Sequence, residues 1–375
     1  MLFRSASRAV SDQPTGTEHY SRELIRHLIQ LAAGEDRDHS FVLYTSRNPL
    51  PGLVPAGAKA HLKVMPFPRL WTHLRLSWEM MRNPPDALLV PAHVIPLVHP
   101  RASVATIHDL GHLYFPEAYP KATLKYLAWS TKHNVKHAAH LLADSEATKR
   151  DIIQHFQVPD DRITVVYPGV SPQFSVDYAA ADLTAVRAEY GIDGPYVLYV
   201  GTLQPRKNVE RLIEAFALAK RTAGFPERLV LAGRMGWLPE GIMRRLKDLG
   251  EAVTLAGYVP ETDLGALYAG ATAFVLPSLF EGFGMPVIEA MASGTPVIAA
   301  NAASLPEVAG DAALLFDPYS TDELAEALSR LCSDQDLRAE LRARGRTRAR
   351  TFTWELAAKR TLEVLERVST ERGGP

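Results

Sequence analysis

The chain reads as an α/β protein built from two doubly wound, Rossmann-like domains. Three observations predict this. Short apolar runs alternate with helical stretches from end to end. Several of those runs are continuous, as strands covered on both faces require. A stretch between Val166 and Tyr196 carries Pro168, Gly169, Pro172, Gly191, Gly194 and Pro195 and no strong strand, which marks a boundary. The length, 375 residues, fits two domains of common size.

In the first half the expected strands are FVLYT (41–45), LKVM (62–65), ALLV (87–90), SVATI (103–107), LLAD (141–144) and ITVV (163–166). Helical spacing appears at 21–33 and, with more basic residues, at 121–140. The opening MLFRSASRAV offers only a ragged strand, so the first strand is expected to be short, degraded or partly missing. The second half repeats the plan with YVLYV (196–200), RLVLA (228–232), VTLA (253–256), AFVLP (273–277), PVIAA (296–300) and ALLF (313–316). Helices are expected at 208–220, 239–248, 262–269 and 285–292, and then at 321–332, 334–349 and 354–371. The arginines at 342, 344, 346, 348 and 350 step 200° apart on a helix, which reads as a solvated helix.

Composition narrows the function. Lys plus Arg is 41 and Asp plus Glu is 42, a formal charge of −1. A dedicated nucleic-acid binder carries a basic excess, so that class is set aside. One cysteine, Cys332, allows no internal disulfide and no cysteine-based zinc cluster. No run approaches the roughly 20 apolar residues of a membrane span, and the start does not resemble a secretory signal. The expected location is cytoplasmic.

The segment PSLFEGFGMPVIEAMASGTPVIA (277–299) is the most informative. A strand ends, a glycine-bearing loop follows with Glu281, Phe283 and Gly284, and a helix starts near Met285. Free amides and the dipole at that helix start favour an anion, with phosphate the natural guest. A carboxylate accepts two hydrogen bonds from a vicinal diol, so Glu289 can hold a ribose and Glu281 a hexose. The same pattern also fits a glycine-rich turn with two surface acids. VGTLQPRKNVERLIEAF (200–216) places adjacent Arg206 and Lys207 after a strand, where ligands bind in open α/β sheets. Two cations there suit a diphosphate. LAGRMGW (231–237) and Gly257-Tyr258-Val259-Pro260 also follow strand ends. Four such loops would form one rim of a cleft.

With GTLQPRKN upstream and the Glu281–x7–Glu289 spacing inside EGFGMPVIEAMASGTPVIA, the chain strongly resembles the retaining GT-B glycosyltransferases of family 4, the glycosyl transferases group 1. The resemblance spans nearly the whole chain and is most specific over 196–318. It implies the GT-B architecture, two Rossmann-like domains facing a central cleft. The acceptor-side domain would span 1–172, completed by a C-terminal helix at 353–372. The nucleotide-sugar domain would span 190–350. By match to the family pattern, Glu281 touches the donor hexose and Glu289 the ribose. The backbone of Phe283, Gly284, Met285, Pro286 and Val287 meets sugar and diphosphate, and Lys207 and Arg206 neutralise the diphosphate and act in catalysis. Many relatives carry an arginine directly after the glycine of the first strand of this domain. Here Gly201 is followed by Thr202, and Arg206 is the expected substitute. Arg234, Tyr258 and Val259 lie in the loops expected on the base side.

The first half agrees with the resemblance. QPTGTEHYSRELIRHLI (13–29) looks like the family's first loop and helix, which puts Gly16 and Thr17 near donor phosphate or acceptor. ATIHDLGHLYFP (105–116) matches the segment where relatives carry a histidine at the cleft, so His108 is a catalytic candidate. Asp109 is read as holding its loop, and Ser145 with Thr148 as a helix cap.

The implied reaction moves a hexose, mannose first and glucose next, from a GDP- or UDP-sugar to a glycan or lipid-linked glycan acceptor. No cofactor and no metal are expected, because cations and a helix dipole can stabilise the leaving diphosphate. The triplets Asp36–Asp38 and Asp334–Asp336 lie in polar stretches away from the proposed site. The alternatives are a sugar-nucleotide 2-epimerase or a phosphorylase of the same architecture, or an inactive sugar-nucleotide-binding relative. A nicotinamide dehydrogenase is disfavoured, since no GxGxxG follows a strand. The stretch 66–86 mixes Trp71, Leu74, Leu76, Trp78, Met80 and Met81 with Arg69, Arg75 and Arg82. It reads as an acceptor-domain helix or as a peripheral contact with the inner membrane face.

Overall fold

The computed structural model of the chain describes residues 16–370 except 35–38, 49–52, 55–58, 237–242, 244 and 247–248. The ragged first strand, the Asp36–Asp38 triplet, most of the helix expected at 239–248 and the last two residues of the 353–372 helix lie outside the described residues. The chain forms two compact units, Val170–Phe352 and Met1–Gly169 joined by Thr353–Pro375. The stretch 173–189, read from sequence as a link, belongs to the later unit. Phe174 is buried against the Tyr268 ring, and Tyr190 donates to Asp263 after the helix Ala180–Glu189.

The first unit holds β1 (Phe41–Thr45), β2 (Ala60–Val64), β3 (Leu88–Val90), β4 (Ser103–Ile107), β5 (His140–Ala143) and β6 (Ile163–Val165). All pairings are parallel. Among the described residues they form the sheets β1-β2 and β3-β4-β5-β6. The sheets share a core: Tyr44 of β1 packs in the same cluster as Leu88, Ala105 and Leu141. The strands β3 to β5 are buried along their length, as their unbroken apolar runs require.

The helix Gly16–Gly34 buries Leu24, Ile25, Leu28 and Ile29, which recur at three- and four-residue steps. The helix Trp354–Thr370 lies against it. Trp354, fully buried, sets its ring edge-on to Tyr20 and His19 and stacks on His27. Gly169 passes so close that a Cβ there would stand 2.2 Å from the Trp354 backbone nitrogen.

The second unit is one six-stranded parallel sheet of β7 (Tyr196–Val200), β8 (Arg228–Ala232), β9 (Val253–Gly257), β10 (Ala273–Leu276), β11 (Val297–Ala300) and β12 (Ala313–Phe316). Its order is β12-β11-β10-β7-β8-β9. The first strand, β7, sits in the middle beside the fourth, β10. The strand order reverses there, at the neighbouring carboxyl ends of β7 and β10. Open α/β sheets bind ligands at such a reversal.

The arginine run on the helix Gln335–Ala349 is exposed for most of its length but is not only solvated. Arg342 donates to the Gly294 carbonyl, and Arg348 donates to the Val308 and Glu307 carbonyls. Gly294 follows the end of the short helix Met285–Ala292, and Glu307 and Val308 lie in the last turn of the short helix Leu305–Ala309. The cations thus staple one helix to the ends of two others.

Candidate functional site

In the second unit the loop after β7 turns through Pro205–Lys207 and enters the helix Val209–Ala223. The loop after β10 runs through Glu281 to Gly284 and enters the helix Met285–Ala292. Asn208 sits between them in the left-handed region, φ 56°, and its amide donates to the Pro277 and Pro318 carbonyls. The Leu279 amide bonds the Arg206 carbonyl, and the Arg206 guanidinium donates to the Phe280 carbonyl at 2.5 Å. The two loops are therefore one rigid piece, seated on the strand-order reversal.

That piece brings together the cations and the acid singled out in the sequence. Lys207 Nζ stands 2.5 Å from Glu281 Oε1, and Arg206 lies 3.9 Å from Glu281 Oε2. Burial alone would raise the Glu281 carboxyl, but the two cations outweigh it and hold it below the ordinary carboxylate value. Ser304, fully buried, donates to the carbonyls of Glu281 and Phe283 and fixes the loop from below. A triad of two cations and one anion leaves a net positive charge in a buried setting, which suits a polyanion.

Gly284 has φ 99°, a conformation that strongly favours glycine, and a Cβ there would stand 2.6 Å from Leu305 Cδ2. It launches the helix with Pro286 in the first turn. The Val287 amide already bonds the Gly284 carbonyl in that tightened turn, so Val287, expected to meet the ligand through its backbone, has its amide committed. Its side chain is fully buried, and the Phe283 ring packs edge-on against Phe352. Met285 and Pro286 are half-buried at the helix start. Further along the same helix, Glu289 accepts the Tyr268 hydroxyl at 3.0 Å. Tyr268 is completely buried, and burial together with the Glu289 carboxylate pushes its own ionisation well above the ordinary value.

On the other side of β7 the backbone of Gly233 passes against Gly201, where a Cβ on Gly233 would fall 2.0 Å from the Gly201 carbonyl oxygen. This close approach holds the Arg234 loop beside the Gly201–Thr202 turn. Thr202 is exposed, and its carbonyl accepts the Tyr199 hydroxyl. Arg234 lies 4.8 Å over the Tyr258 ring, and Val259 is buried. The base-side candidates thus meet as a cation on an aromatic face.

In the first unit His108 follows β4 directly, and its Nδ1 donates to Asp144 Oδ2 at 2.6 Å. Asp144 follows β5, the neighbouring strand. Burial alone would lower the His108 ring, and the Asp144 carboxylate more than offsets it, leaving the imidazole above its ordinary 6.5. Tyr20 sets its ring edge on His108 at 4.8 Å. His108 Nε2 and Asp144 Oδ1 are both buried without a hydrogen-bond partner. Such groups in a native fold call for a ligand or water. Gly16 and Thr17 open the helix that carries Tyr20 one turn later. Asp109 accepts the Gly111 amide and Ser145 accepts the Thr148 amide, so both perform the local roles read from sequence.

The sequence reading missed Asp144, Tyr268, Asn208 and Ser304. Asp144 and Asn208 each lay within a noted segment, LLAD (141–144) and PRKN, without a role assigned. Tyr268 and Ser304 meet their partners only through the tertiary fold. Among the described residues no group of three or more His, Cys, Asp or Glu is arranged to hold a metal. Asp334 caps a helix by accepting the Leu337 amide. No described helix is long and apolar enough to cross a membrane.

Residues 184–348 match the family described as "Glycosyl transferases group 1", and residues 14–174 match "Glycosyltransferase Family 4". The chain is 34% identical over 266 residues to O-antigen chain mannosyltransferase B of Escherichia coli, covering 70% of this chain and 69% of that one. It is 28% identical over 278 residues to the serotype-specific mannosyltransferase WbdA of Escherichia coli. That match covers 72% of this chain but only 34% of WbdA. Among solved structures, Anabaena Alr3699/HepE in complex with UDP and glucose superposes with a TM-score of 0.74 at 18% identity, over 97% of this chain and 98% of that one. At that identity the likeness speaks for the fold.

Proposed function

We propose that this chain, which belongs to the glycosyl transferases of group 1, transfers mannose from a nucleoside-diphosphate donor to a growing glycan or lipid-linked glycan, with retention and without a metal. GDP-mannose is the first donor to try, with UDP-glucose next. The observation that carries the reading is the Lys207–Arg206–Glu281 cluster at the strand-order reversal, beside the start of the helix Met285–Ala292. The mannosyltransferase relatives support the choice of sugar. A 2-epimerase is not favoured, since the matched relatives transfer sugars.

In this reading the donor diphosphate takes Lys207 and Arg206 as counter-ions, assisted by the helix start. Breaking the bond from the anomeric carbon to the phosphate oxygen leaves negative charge on the diphosphate, where preorganised cations count most. The acceptor oxygen bonds the same face of the anomeric carbon, and its proton passes to the leaving phosphate oxygen. Glu281, relieved of Lys207, binds a hexose hydroxyl. Glu289, oriented by Tyr268, takes the ribose diol. Arg234 and Tyr258 border the base. His108, held by Asp144, hydrogen-bonds a substrate hydroxyl through Nε2.

The deciding experiment is a donor screen. Thermal shift with GDP, UDP and ADP and their sugars is followed by transfer assays with and without excess chelator. Stabilisation by GDP-mannose and full turnover in chelator are expected. Stabilisation without any transfer would leave an inactive sugar-nucleotide binder, and a collapse restored by manganese would overturn metal independence.

A further inference from the structure

Four buried polar atoms around His108 make no hydrogen bond: His108 Nε2, Asp144 Oδ1, the Tyr20 hydroxyl and the Thr106 hydroxyl. Tyr20, Thr106 and Asp144 are 1%, 2% and 5% exposed. They come from three elements. Thr106 stands two residues before His108 on β4, the spacing that puts both on one face of a strand. Asp144 follows β5, the neighbouring strand, and Tyr20 comes from the helix Gly16–Gly34. Burial raises the Tyr20 ionisation most, the Asp144 carboxylate raises it further, and the Thr106 hydroxyl opposes both. The phenol therefore lies within electrostatic reach of each. Native folds pair nearly all such atoms. A water joined to Tyr20, Thr106 and Asp144 Oδ1 would make three hydrogen bonds, about the usual number for a buried water.

Packing does not account for the Tyr20 hydroxyl. The ring meets two others edge-on, His108 at 4.8 Å and Trp354 at 5.7 Å. Phenylalanine would give both contacts and spare the cost of burying a hydroxyl. The hydroxyl has a task at Asp144. Burial raises that carboxyl above its ordinary value, and His108 covers Oδ2 alone. A second donor on the Oδ1 side favours the ionised form. The ionised form is what fixes the imidazole, with Nδ1 on Asp144 and Nε2 left for another partner.

We propose that Tyr20 is a positioning residue for the transfer reaction: its ring edge sets the plane of His108, and its hydroxyl, together with Thr106, keeps Asp144 ionised so that Nε2 is presented to the substrate. The inference rests on the reading of His108 as a substrate-binding group and names the residues that hold it ready. The other groups facing this pair are few among the described residues. Asp109 acts on both His108 and Asp144, and it accepts the Gly111 amide. The Pro91 carbonyl faces the His108 ring. The helix Glu146–Phe156 contributes the Thr148 hydroxyl, which donates to the His108 carbonyl. The helix Trp354–Thr370 contributes the Trp354 ring, on which His19 and His27 also pack.

The experiment is Tyr20→Phe in the full chain, with two measurements. Proton NMR of the His108 ring, without substrate, follows both titrations of the His108–Asp144 pair. The pH profiles of kcat and KM are taken with GDP-mannose as donor and a mannose oligosaccharide as acceptor. Loss of a donor to the carboxylate should raise the pH at which Asp144 takes up its proton by about one unit. On the acid limb kcat should then fall roughly tenfold, while KM for the donor and the melting temperature stay close to native. A core role alone would leave the titration and the pH profile unmoved, and that result overturns the proposal, as does an acid limb that moves down. Should Tyr20→Phe fail to fold, Thr106→Val, close in shape, should move the same titration upward by less, and an unmoved titration there overturns the proposal. The ring titration needs no transfer, so it stands even if the native chain transfers no mannose. Native turnover in His108→Ala, by contrast, would remove the reading of His108 as a substrate-binding group and leave the ring titration intact.

Discussion

The two units finish their parallel strands in different electrostatic states. In the second unit, the loops after β7 and β10 hold two cations on one buried carboxylate, and the excess charge is positive. In the first unit, the ends of β4 and β5 hold one histidine on one carboxylate, and the pair is balanced. The same device, adjacent strand ends in a parallel sheet, is thus built once to attract an anion and once to hold a ring in a fixed orientation. A buried cluster with surplus charge gains from a charged ligand. A balanced pair whose second ring nitrogen is buried without a partner can only donate or accept a hydrogen bond.

The largest expected effect tests whether the first unit depends on the end of the chain. Stopping at Arg350 removes Trp354, which fills the space between Tyr20, His19 and His27. Removing a buried tryptophan alone costs about 3–5 kcal/mol, and the truncation removes the whole apolar stripe with it. Calorimetry should show the first unit's transition lost. Normal melting and normal donor turnover in the truncated chain would contradict that dependence.

The second test concerns the surplus charge. Lys207→Ala should lower kcat by about 10²–10³, the usual loss when one preorganised donor is removed. Arg206→Ala should lower kcat less, with a larger share of its effect on melting, because its guanidinium also secures the Phe280 carbonyl. Equal or reversed losses would show that the two cations are not divided between chemistry and scaffold in this way.

The third test is smaller. Glu289→Ala should weaken free nucleotide binding by roughly ten- to a hundredfold, the range for hydrogen bonds to a charged group. Tyr268→Phe should weaken it only several-fold, raising KM with little change in kcat, since it positions Glu289 without touching the ligand. Calorimetric titration with the nucleotide measures both, and unchanged affinity in Glu289→Ala would remove the ribose assignment.

The difference between the units also explains what could be read from sequence. In the second unit the site is made of contiguous runs, PRKN and EGFGMPVIE, each a strand end, a loop and a helix start. Local spacing carries that information, and the helix Met285–Ala292 falls where the pattern put it. Tyr268 and Ser304 escaped because their partners lie 21 to 23 residues away and come close only through the tertiary fold. In the first unit Tyr20, His108 and Asp144 are spread along the chain, and no local pattern links them. His108 was legible by its place at a strand end, while its carboxylate partner was read only as the last residue of the strand expected at 141–144. The arginine run misled for the opposite reason. Its periodicity described the helix correctly but said nothing of the carbonyls that the side chains reach.

The acid limb of stability should separate the units further. The Glu281 carboxyl is held below its ordinary 4.5, so its pairing stabilises the fold above that value and is lost as pH falls through the lowered one. Glu281→Gln should flatten the fall in melting temperature below about pH 4.5. A wild-type acid limb in the variant would show that the triad does not govern it.

The smallest expected effect lies at His108, and its sign is opposite. The folded ring is held above 6.5 and burial holds the Asp144 carboxyl above 3.8, so the contribution of the pairing is present between the raised carboxyl value and 6.5 and is lost as pH rises through the raised ring value. Asp144→Asn removes the carboxylate while keeping a hydrogen-bond acceptor. The difference in melting temperature between the native chain and this variant should therefore be largest near pH 5 and shrink toward pH 9. Proton NMR of the ring carbons reads the same event directly. His108 should titrate above 6.5 in the native chain and lower in the variant, where burial is opposed only by Asp109 and the Pro91 carbonyl. A ring that titrates alike in both would mean that Asp144 fixes its orientation without setting its charge, and the balanced pair of the first unit would lose its electrostatic meaning.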